Sequence, residues 1–172
     1  YRTLWGADVL EDTLCGLSFR LSVPSFYQVN HDMAEVLYDT AVDFAGLTGH
    51  ETVLDLYCGA GTITLMLARH AARVIGIEIV PDAIRDAKEN ARLNGMENAQ
   101  FYCGAAESIL PELVQQGLRP DVIVLDPPRK GADEAVLRAI AVAQPARVVY
   151  ISCNPATQAR DARILCAMGY AA

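Results

Sequence analysis

The stretch "VLDLYCGAGTITL", residues Val53 to Leu65, decides the fold of this chain. It joins an apolar strand that ends around Asp55, a turn that contains Gly59 and Gly61, and the start of a helix. In doubly wound α/β folds, this order lets a cofactor approach backbone N–H groups at the start of the helix. Thr64 stands where a dinucleotide fingerprint has its third glycine, so a nicotinamide cofactor is disfavoured. The alternative interpretation of the segment with Gly59 and Gly61 is a plain tight turn that binds no cofactor.

Apolar runs alternate with helical patterns from Val53 onward, which predicts βαβ units around a parallel sheet. Residues Asp82 to Asn94 have the spacing of an amphipathic helix, and Gly95 supplies its stop. Five strands are expected, over Thr52–Leu56, Arg73–Ile77, Gln100–Cys103, Asp121–Leu125 and Val148–Ser152. The pattern predicts an α/β fold with a Rossmann-like, doubly wound, mostly parallel sheet.

The residues before the first parallel strand follow another pattern. The run "DVLEDTLCGLSFRLSV" predicts a β-hairpin, and "NHDMAEVLYDTAVDFAGLTG" predicts a long helix that ends at Gly46 or Gly49. We therefore expect an N-terminal β hairpin or lead-in segment at 1–29 and one cofactor-binding domain at 30–172. The chain starts without methionine and stops where another strand would follow, so we expect a piece of a longer protein, truncated at its C-terminus.

Composition limits the classes of protein to consider. Of the residues, 52% are hydrophobic and 20% charged, and no apolar run is long enough to span a membrane, which favours a globular cytoplasmic protein. The five cysteines are odd in number and form no C-x-x-C pair, which argues against a disulfide framework and a zinc site. The net charge of −7 predicts no broad nucleic-acid surface, so any phosphate-binding charge must be local.

Acidic residues follow two further strands. Glu78 ends the second strand, 17 residues after Gly61, where a carboxylate can accept hydrogen bonds from both ribose hydroxyls of a nucleoside-containing cofactor. Asp126 stands at the carboxyl end of the fourth strand, in "DPPRKG". Arg129 and Lys130 on that loop suit phosphate contacts. The glycine turn and Glu78 together predict an adenosine-containing ligand at this edge of the sheet.

A cysteine follows the fifth strand, in "YISCNPATQARD", residues 150 to 161. Taken alone, Cys153 is most simply a small buried residue. Beside a cofactor site, it becomes a candidate nucleophile at the mouth of the pocket. Cys58 is the rival because it lies in the glycine turn. The other cysteines fall in hairpin, strand and helix patterns and are expected to be packed: Cys15, Cys103 and Cys166.

Four segments together resemble the catalytic domain of the S-adenosylmethionine-dependent RNA (uracil-5-)-methyltransferases, above all the bacterial ribosomal-RNA enzymes. They are "DLYCGAGTITL", "GIEIVPDAIRDAKENARLNG", "VIVLDPPRKG" and "VYISCNPATQARD", and "SVPSFYQVN" resembles the segment before that domain. The match runs from about Leu14 to Met168. It implies a class I methyltransferase fold, S-adenosyl-L-methionine as cofactor, and an RNA substrate, with ribosomal RNA favoured over transfer RNA. No metal is expected in this chain, although such relatives can carry an iron–sulfur cluster in a region that precedes it.

The resemblance also implies roles for single residues. Gln28, Tyr57, Glu78 and Asp126 align with residues that contact the cofactor, and Cys153 aligns with the nucleophile that adds to C6 of uracil. A glutamate downstream of residue 172 is the implied general base, so the fragment alone is expected to be inactive or badly impaired. The segment "CGAAES" departs from many relatives because no acidic residue follows the third strand directly.

Two other functions are compatible with parts of the sequence. An amino-group methyltransferase would typically carry an Asn-Pro-Pro-aromatic loop, whereas this chain has "DPPR". A non-catalytic cofactor-binding or RNA-binding module is a further alternative, but it gives the cysteine at the pocket mouth no purpose beyond packing. The sequence is silent on oligomeric state and on the uridine that is modified.

Overall fold

The computed structural model of the protein describes residues 7–23, 25, 27, 28 and 30–172. The strands are β1 (Val9–Leu14), β2 (Leu17–Ser22), β3 (Thr52–Leu56), β4 (Arg73–Glu78), β5 (Ala99–Cys103), β6 (Val122–Leu125) and β7 (Arg147–Tyr150). The helices are α1 (His31–Ala45), α2 (Thr62–Ala68), α3 (Pro81–Leu93), α4 (Ala106–Gln115), α5 (Glu134–Ala143) and α6 (Pro155–Ala167). Three residues of the "SVPSFYQVN" segment, Pro24, Phe26 and Val29, lie outside the described residues.

Five strands form a parallel sheet in the order β5-β4-β3-β6-β7. The chain order reverses between β3 and β6, and such a switch point is where open α/β sheets bind ligands, at the carboxyl ends of the strands. All four residues of β6, "VIVL", are buried because helices cover both faces of the sheet. The predicted doubly wound α/β fold is confirmed.

Two apolar clusters hold the sheet between its helices. One cluster joins the sheet to α1, α2, α3 and the N-terminal hairpin, and the other joins it to α4, α5 and α6. Hairpin residues such as Phe19, which is 1% exposed, belong to the first cluster. The hairpin therefore packs into the core of the chain, while the division at residue 29 stays a prediction.

The hairpin joins β1 to β2 in antiparallel register through a two-residue turn. Cys15 and Gly16 in that turn have φ of 51° and 73°, and a two-residue hairpin turn of type I′ requires positive φ at both positions. Strand β2 then lies against α3, and its backbone N–H groups bond to side chains of that helix.

Helix and strand ends explain where the sequence-based boundaries shift. Helix α1 ends at Gly46, whose φ of 57° is the left-handed conformation that glycine adopts readily. Strand β7 ends at Tyr150 and not at Ser152 as expected, because the last sheet hydrogen bond is that of Ile151 N–H to Leu125 O, at 2.9 Å. Cys153 therefore lies in a turn beyond the strand.

The part of the chain that the structure describes contains no helix with both the length and the apolar character needed to cross a bilayer.

Candidate active site at the carboxyl edge of the sheet

The glycine turn after β3 is wound tightly against the end of β4. Tyr57, Gly59 and Gly61 have φ of 67°, 53° and 85°, so the turn combines three left-handed residues, one of them not glycine. The N–H groups of Tyr57 and Cys58 both donate to the carbonyl of Ile77, at 2.8 and 3.1 Å. These bonds fix the turn beside β4.

Glu78 connects this turn to the end of β4. One oxygen of its carboxylate accepts the N–H of Gly59 at 3.2 Å, and the other accepts the N–H of Val80 at 2.8 Å. Each carboxylate oxygen has two lone pairs, so both oxygens can accept another hydrogen bond. The next residue, Ile79, is exposed and presents an apolar surface beside Glu78.

Asp55 lies beneath the turn and is fully buried. Its carboxylate accepts the hydroxyl of Thr64 at 2.5 Å, and burial raises its pKa to about 7, with the nearby charges of Asp126 and Glu78 adding to the shift. Thr64 stands where a dinucleotide fingerprint has glycine. Its hydroxyl satisfies a buried carboxylate, which is a physical reason for the departure from that fingerprint.

Asp126 lies just beyond β6 on the opposite side of the switch point. Its backbone N–H donates to Leu56 O at 3.4 Å, and burial raises the pKa of its half-buried carboxyl group. No hydrogen bond joins that carboxyl group to any of the residues described. Among the described residues, Asp126 is therefore an acceptor at the switch point that has no hydrogen-bond donor.

Helix α1 brings a tyrosine to the same place. The buried hydroxyl of Tyr38 accepts a long hydrogen bond, 3.5 Å, from Thr62 at the start of α2. Burial raises the pKa of Tyr38, and the carboxylates of Asp126 and Asp55 add to the shift. Tyr38 could not be singled out from the sequence, because its spacing with Ala34 and Ala41 is that of an ordinary buried helix face.

The ring of Tyr57 packs with the cluster formed by α4, α5 and α6. Burial raises the pKa of its hydroxyl to about 12, and the charges of Glu107 and Asp133 add to the shift. The ring therefore lies on the α4–α5 side of the turn.

The "DPPRKG" loop is tied to the start of α6 through its backbone carbonyls. The carbonyl of Arg129 accepts bonds from Asn154 Nδ2 at 3.1 Å and Thr157 Oγ1 at 3.3 Å, and the carbonyl of Lys130 accepts one from Arg160 Nη2 at 3.0 Å. Since the carbonyls are held by the helix, the exposed Arg129 and Lys130 side chains are left at the rim.

Asp161 anchors the far end of this loop. Its fully buried carboxylate accepts Ala132 N–H at 2.8 Å and the Tyr150 hydroxyl at 2.6 Å, and it pairs with Arg160. Gly131, with φ of 84°, passes so close to Arg160 and Asp161 that an added Cβ would overlap with both side chains.

Cys153 lies in the turn between β7 and α6 and is exposed. Its two neighbours are both fixed: Ser152 Oγ accepts Asn154 N–H at 3.0 Å, and Asn154 Oδ1 caps α6 by accepting Ala156 N–H at 3.1 Å. Because Asn154 also bonds to the carbonyl of Arg129, the cysteine turn and the "DPPRKG" loop form one unit.

The model of the tRNA (uracil-5-)-methyltransferase family matches residues 8–167. The chain belongs to this family. Over 169 residues it is 57% identical to an uncharacterized RNA methyltransferase of Halalkalibacterium halodurans, covering 98% of the chain and 37% of that relative. It is 53% identical over 171 residues to a protein of the same description from Listeria innocua, covering 99% of the chain and 38% of the relative. The chain thus spans little more than a third of the length of these relatives.

A solved structure with the same fold is the Pyrococcus abyssi tRNA (uracil-54, C5)-methyltransferase in complex with S-adenosyl-L-homocysteine. The two share 28% identity with a TM-score of 0.81, over 94% of this chain and 38% of the other. The resemblance drawn from the four sequence motifs is therefore confirmed at the level of the family.

The sequence-based site residues are placed as follows. Glu78 and Asp126 lie around the switch point, and Tyr57 flanks it. Cys153 is connected to Asp126 because its turn is bonded to the "DPPRKG" loop. Gln28 is half-buried, and no described contact connects it to the other four. The roles of all five stay predictions.

Two expectations for the remaining cysteines were wrong. Cys103 and Cys166 are exposed, although strand and helix patterns led us to expect packed thiols. Cys103 lies on the edge strand β5, and Cys166 lies in the last turn of α6, so the elements of the described part of the chain leave both thiols uncovered.

Proposed function

We propose that this protein methylates C5 of uridine in RNA, with S-adenosyl-L-methionine as methyl donor and Cys153 as covalent nucleophile. The observation that carries the proposal is the position of Cys153. It is an exposed thiol in a turn bonded to the loop that begins with Asp126, at the carboxyl edge of the sheet. The membership of the chain in the uracil-5-methyltransferase family supports the same chemistry.

The residues around the switch point fit an adenosine-containing cofactor. Each oxygen of Glu78 retains a lone pair that can accept a ribose hydroxyl, and the exposed Ile79 offers an apolar surface for a purine ring. The comparison with the Pyrococcus abyssi enzyme, whose structure contains S-adenosyl-L-homocysteine, supports this assignment. Ile79 also suggests how adenine is held without an acidic residue directly after β5.

Asp126 suits the other end of the cofactor. Its half-buried carboxylate, which accepts no hydrogen bond from the described residues, would bind the α-ammonium group of the methionine part or orient the target base. Gln28, which carries both a donor and an acceptor, is proposed for the same amino-acid part, and Tyr57 for the wall of the pocket.

The cysteine overcomes the low nucleophilicity of C5. The Cys153 thiolate adds to C6 of uracil, forming the S–C6 bond and moving the electron pair of the C5–C6 double bond onto C5 and O4. When bound, S-adenosylmethionine would supply an electrophilic methyl group: C5 would bond to it as the methyl–sulfur bond breaks, leaving S-adenosylhomocysteine. A base then accepts the C5 proton, the double bond re-forms, and the thiolate leaves C6.

Access to the uracil ring requires that the nucleotide leave its stack, so a flipped base or a single-stranded loop is the expected form of the substrate. The exposed Arg129 and Lys130 lie on the loop that is bonded to Asn154, the residue after Cys153, and they suit contacts to the neighbouring phosphates.

Ribosomal RNA is the target favoured by the sequence motifs. Transfer RNA is the second candidate, because both the family description and the Pyrococcus abyssi enzyme name tRNA. Nucleoside analysis of separate ribosomal and transfer RNA fractions from a deletion strain distinguishes them by the fraction that loses 5-methyluridine. Loss of an N-methylated base instead would contradict the proposed reaction.

Trapping tests the nucleophile directly. RNA that contains 5-fluorouridine cannot release its C5 substituent as a proton, so the intact protein should accumulate a covalent, methylated adduct. We expect Cys153→Ala to abolish the adduct. Cys166→Ala, which removes another exposed thiol from the next helix, should leave it unchanged. An adduct that persists in Cys153→Ala would overturn the assignment.

A further inference from the structure

Two polar side chains of α3, and that of its C-cap residue, bind the backbone of β2. We call Asp86, Asn90 and Asn94 the polar ladder. They accept the N–H groups of Ser22 at 2.8 Å, Arg20 at 2.7 Å and Ser18 at 2.9 Å, in that order.

The geometry of the polar ladder follows from two repeats. Four residues of helix rise about 6 Å, and two residues of strand rise about 6.7 Å, so every fourth helical residue meets every second strand residue. The edge of β2 that faces α3 is therefore satisfied by side chains, where another strand would otherwise be needed.

Asn90 differs from the other two members because its amide also binds the glycine turn. Its Nδ2 donates to the carbonyl of Ala60 at 3.0 Å, and its side chain is fully buried. Ala60 lies between Gly59 and Gly61, at the centre of the glycine turn. Asn90 thus bridges the hairpin and the turn with one side chain.

The same stretch of α3 also supports the turn by packing. A Cβ built on Gly61 would lie 3.1 Å from the Cβ of Ala87, one helical turn before Asn90. The turn contains three left-handed residues, including Tyr57, and such backbone persists only where the surroundings hold it. Without the Asn90 amide, a buried carbonyl in the turn would lose its donor.

We propose that Asn90 is a positioning residue that holds the glycine turn in the conformation competent for cofactor binding and couples that turn to the N-terminal hairpin. The inference rests on the proposed function, in which the turn binds S-adenosylmethionine. It gives the hairpin a part in cofactor binding although the hairpin contributes no residue to the switch point.

The first test measures the affinity of the intact protein for S-adenosylhomocysteine by calorimetric titration. We expect Asn90→Ala to weaken binding about tenfold, because the competent conformation of the turn becomes a minor fraction of the population. Asn94→Ala is the matched control, since Asn94 bonds to the same strand from the same helix but not to the turn. It should lower the melting temperature while changing the dissociation constant less than twofold.

A second variant separates the two bonds of Asn90. Asn90→Asp keeps an acceptor for Arg20 N–H but removes the donor to Ala60, so its affinity should fall like that of Asn90→Ala. Affinities of both variants equal to wild type, or an equal loss in Asn94→Ala, would overturn the inference. Failure of the wild type itself to bind S-adenosylhomocysteine would instead contradict the proposed function.

Hydrogen exchange provides a test that does not depend on the folding of a variant. In the wild-type protein, S-adenosylhomocysteine should slow exchange of the Arg20 amide, which bonds to Asn90, more than that of the Ser18 amide, which bonds to Asn94. We expect at least a threefold difference between the two slowing factors, because coupling between ligand and hairpin acts in both directions. Equal slowing of both amides would show that Asn90 has only a structural role.

Discussion

Two turns of this molecule place a cysteine just beyond a strand of the parallel sheet, with opposite results. Cys58 follows β3 by two residues and is 5% exposed, while Cys153 follows β7 by three residues and is exposed. Cys58 Sγ points at β4, so close that a Cβ on Gly76 would lie 2.8 Å from it. The difference follows from the strands: β3 is central and has neighbours on both sides, whereas β7 is at the edge of the described sheet.

Burial also separates the chemistry of the two turns. Burial raises the pKa of the Cys58 thiol well above its usual range, and the charges of Asp55 and Glu78 add to the shift. A thiol held in its protonated form is a poor nucleophile. Position after a strand is therefore not enough to make a cysteine reactive, and the turn must also leave it accessible.

The largest expected effect is on turnover. Cys153→Ala should lower methyl transfer to RNA by at least about 10⁴-fold, since loss of a covalent nucleophile removes the reaction path itself. Transfer of a radiolabelled methyl group measures this. Cys58→Ala should retain turnover within about tenfold, because the Cys58 thiol has no part in the path. A larger loss in Cys58→Ala than in Cys153→Ala would reverse the comparison.

The two thiols should also differ in labelling. Iodoacetamide should modify Cys153 at least about 100-fold faster than Cys58, because Cys58 reacts only after the turn opens. Mass spectrometry of digests over time gives both rates, with the exposed Cys166 as an internal standard. Labelling of Cys58 at the rate of Cys166 would show that the glycine turn is open in solution.

Asp161 anchors the "DPPRKG" loop, to which the Cys153 turn is bonded, so substitution of Asp161 removes that anchor. Asp161→Ala should lower the free energy of unfolding by about 3 kcal/mol, because it leaves a buried N–H and a hydroxyl without their acceptor. Urea denaturation measures this. Asp133→Ala, which removes only the N-cap of α5 on the same loop, should cost about 1 kcal/mol. Equal losses would mean that Asp161 serves only as an ordinary capping residue.

The stability that Asp55 contributes beneath the Cys58 turn should depend on pH. Burial raises its pKa from 3.8 to about 7, so between these values the folded state binds more protons than the unfolded state. The contribution of Asp55 to stability is therefore greatest at low pH and decreases as pH rises, by roughly 1 kcal/mol per pH unit between pH 5 and 7.

Asp55→Asn provides the control for this dependence. The amide oxygen still accepts the Thr64 hydroxyl but does not titrate, so the difference in unfolding free energy between wild type and variant should change with pH in that window. Urea denaturation at several pH values measures it. A constant difference would show that Asp55 keeps its ordinary pKa.

The sequence by itself determined the fold class and the edge of the sheet where ligands bind. Local rules are sufficient here, because apolar runs such as "VIVL" define buried strands, and the carboxyl ends of parallel strands meet at one edge. Glu78, Asp126 and Cys153 could be named from sequence because each stands at or just beyond the end of a predicted strand. The motifs also identified the family, which the comparisons confirmed.

Only the tertiary structure decided which side chains meet and which are covered. Tyr38 reaches the switch point from α1, Thr64 satisfies Asp55, and Asn90 bridges the hairpin and the glycine turn. None of these roles follows from spacing along one element, because each depends on the packing of a helix against a distant part of the chain. For the same reason Cys58 is buried and Cys153 is exposed: accessibility depends on the neighbours of a strand in the sheet, which periodicity within that strand does not encode.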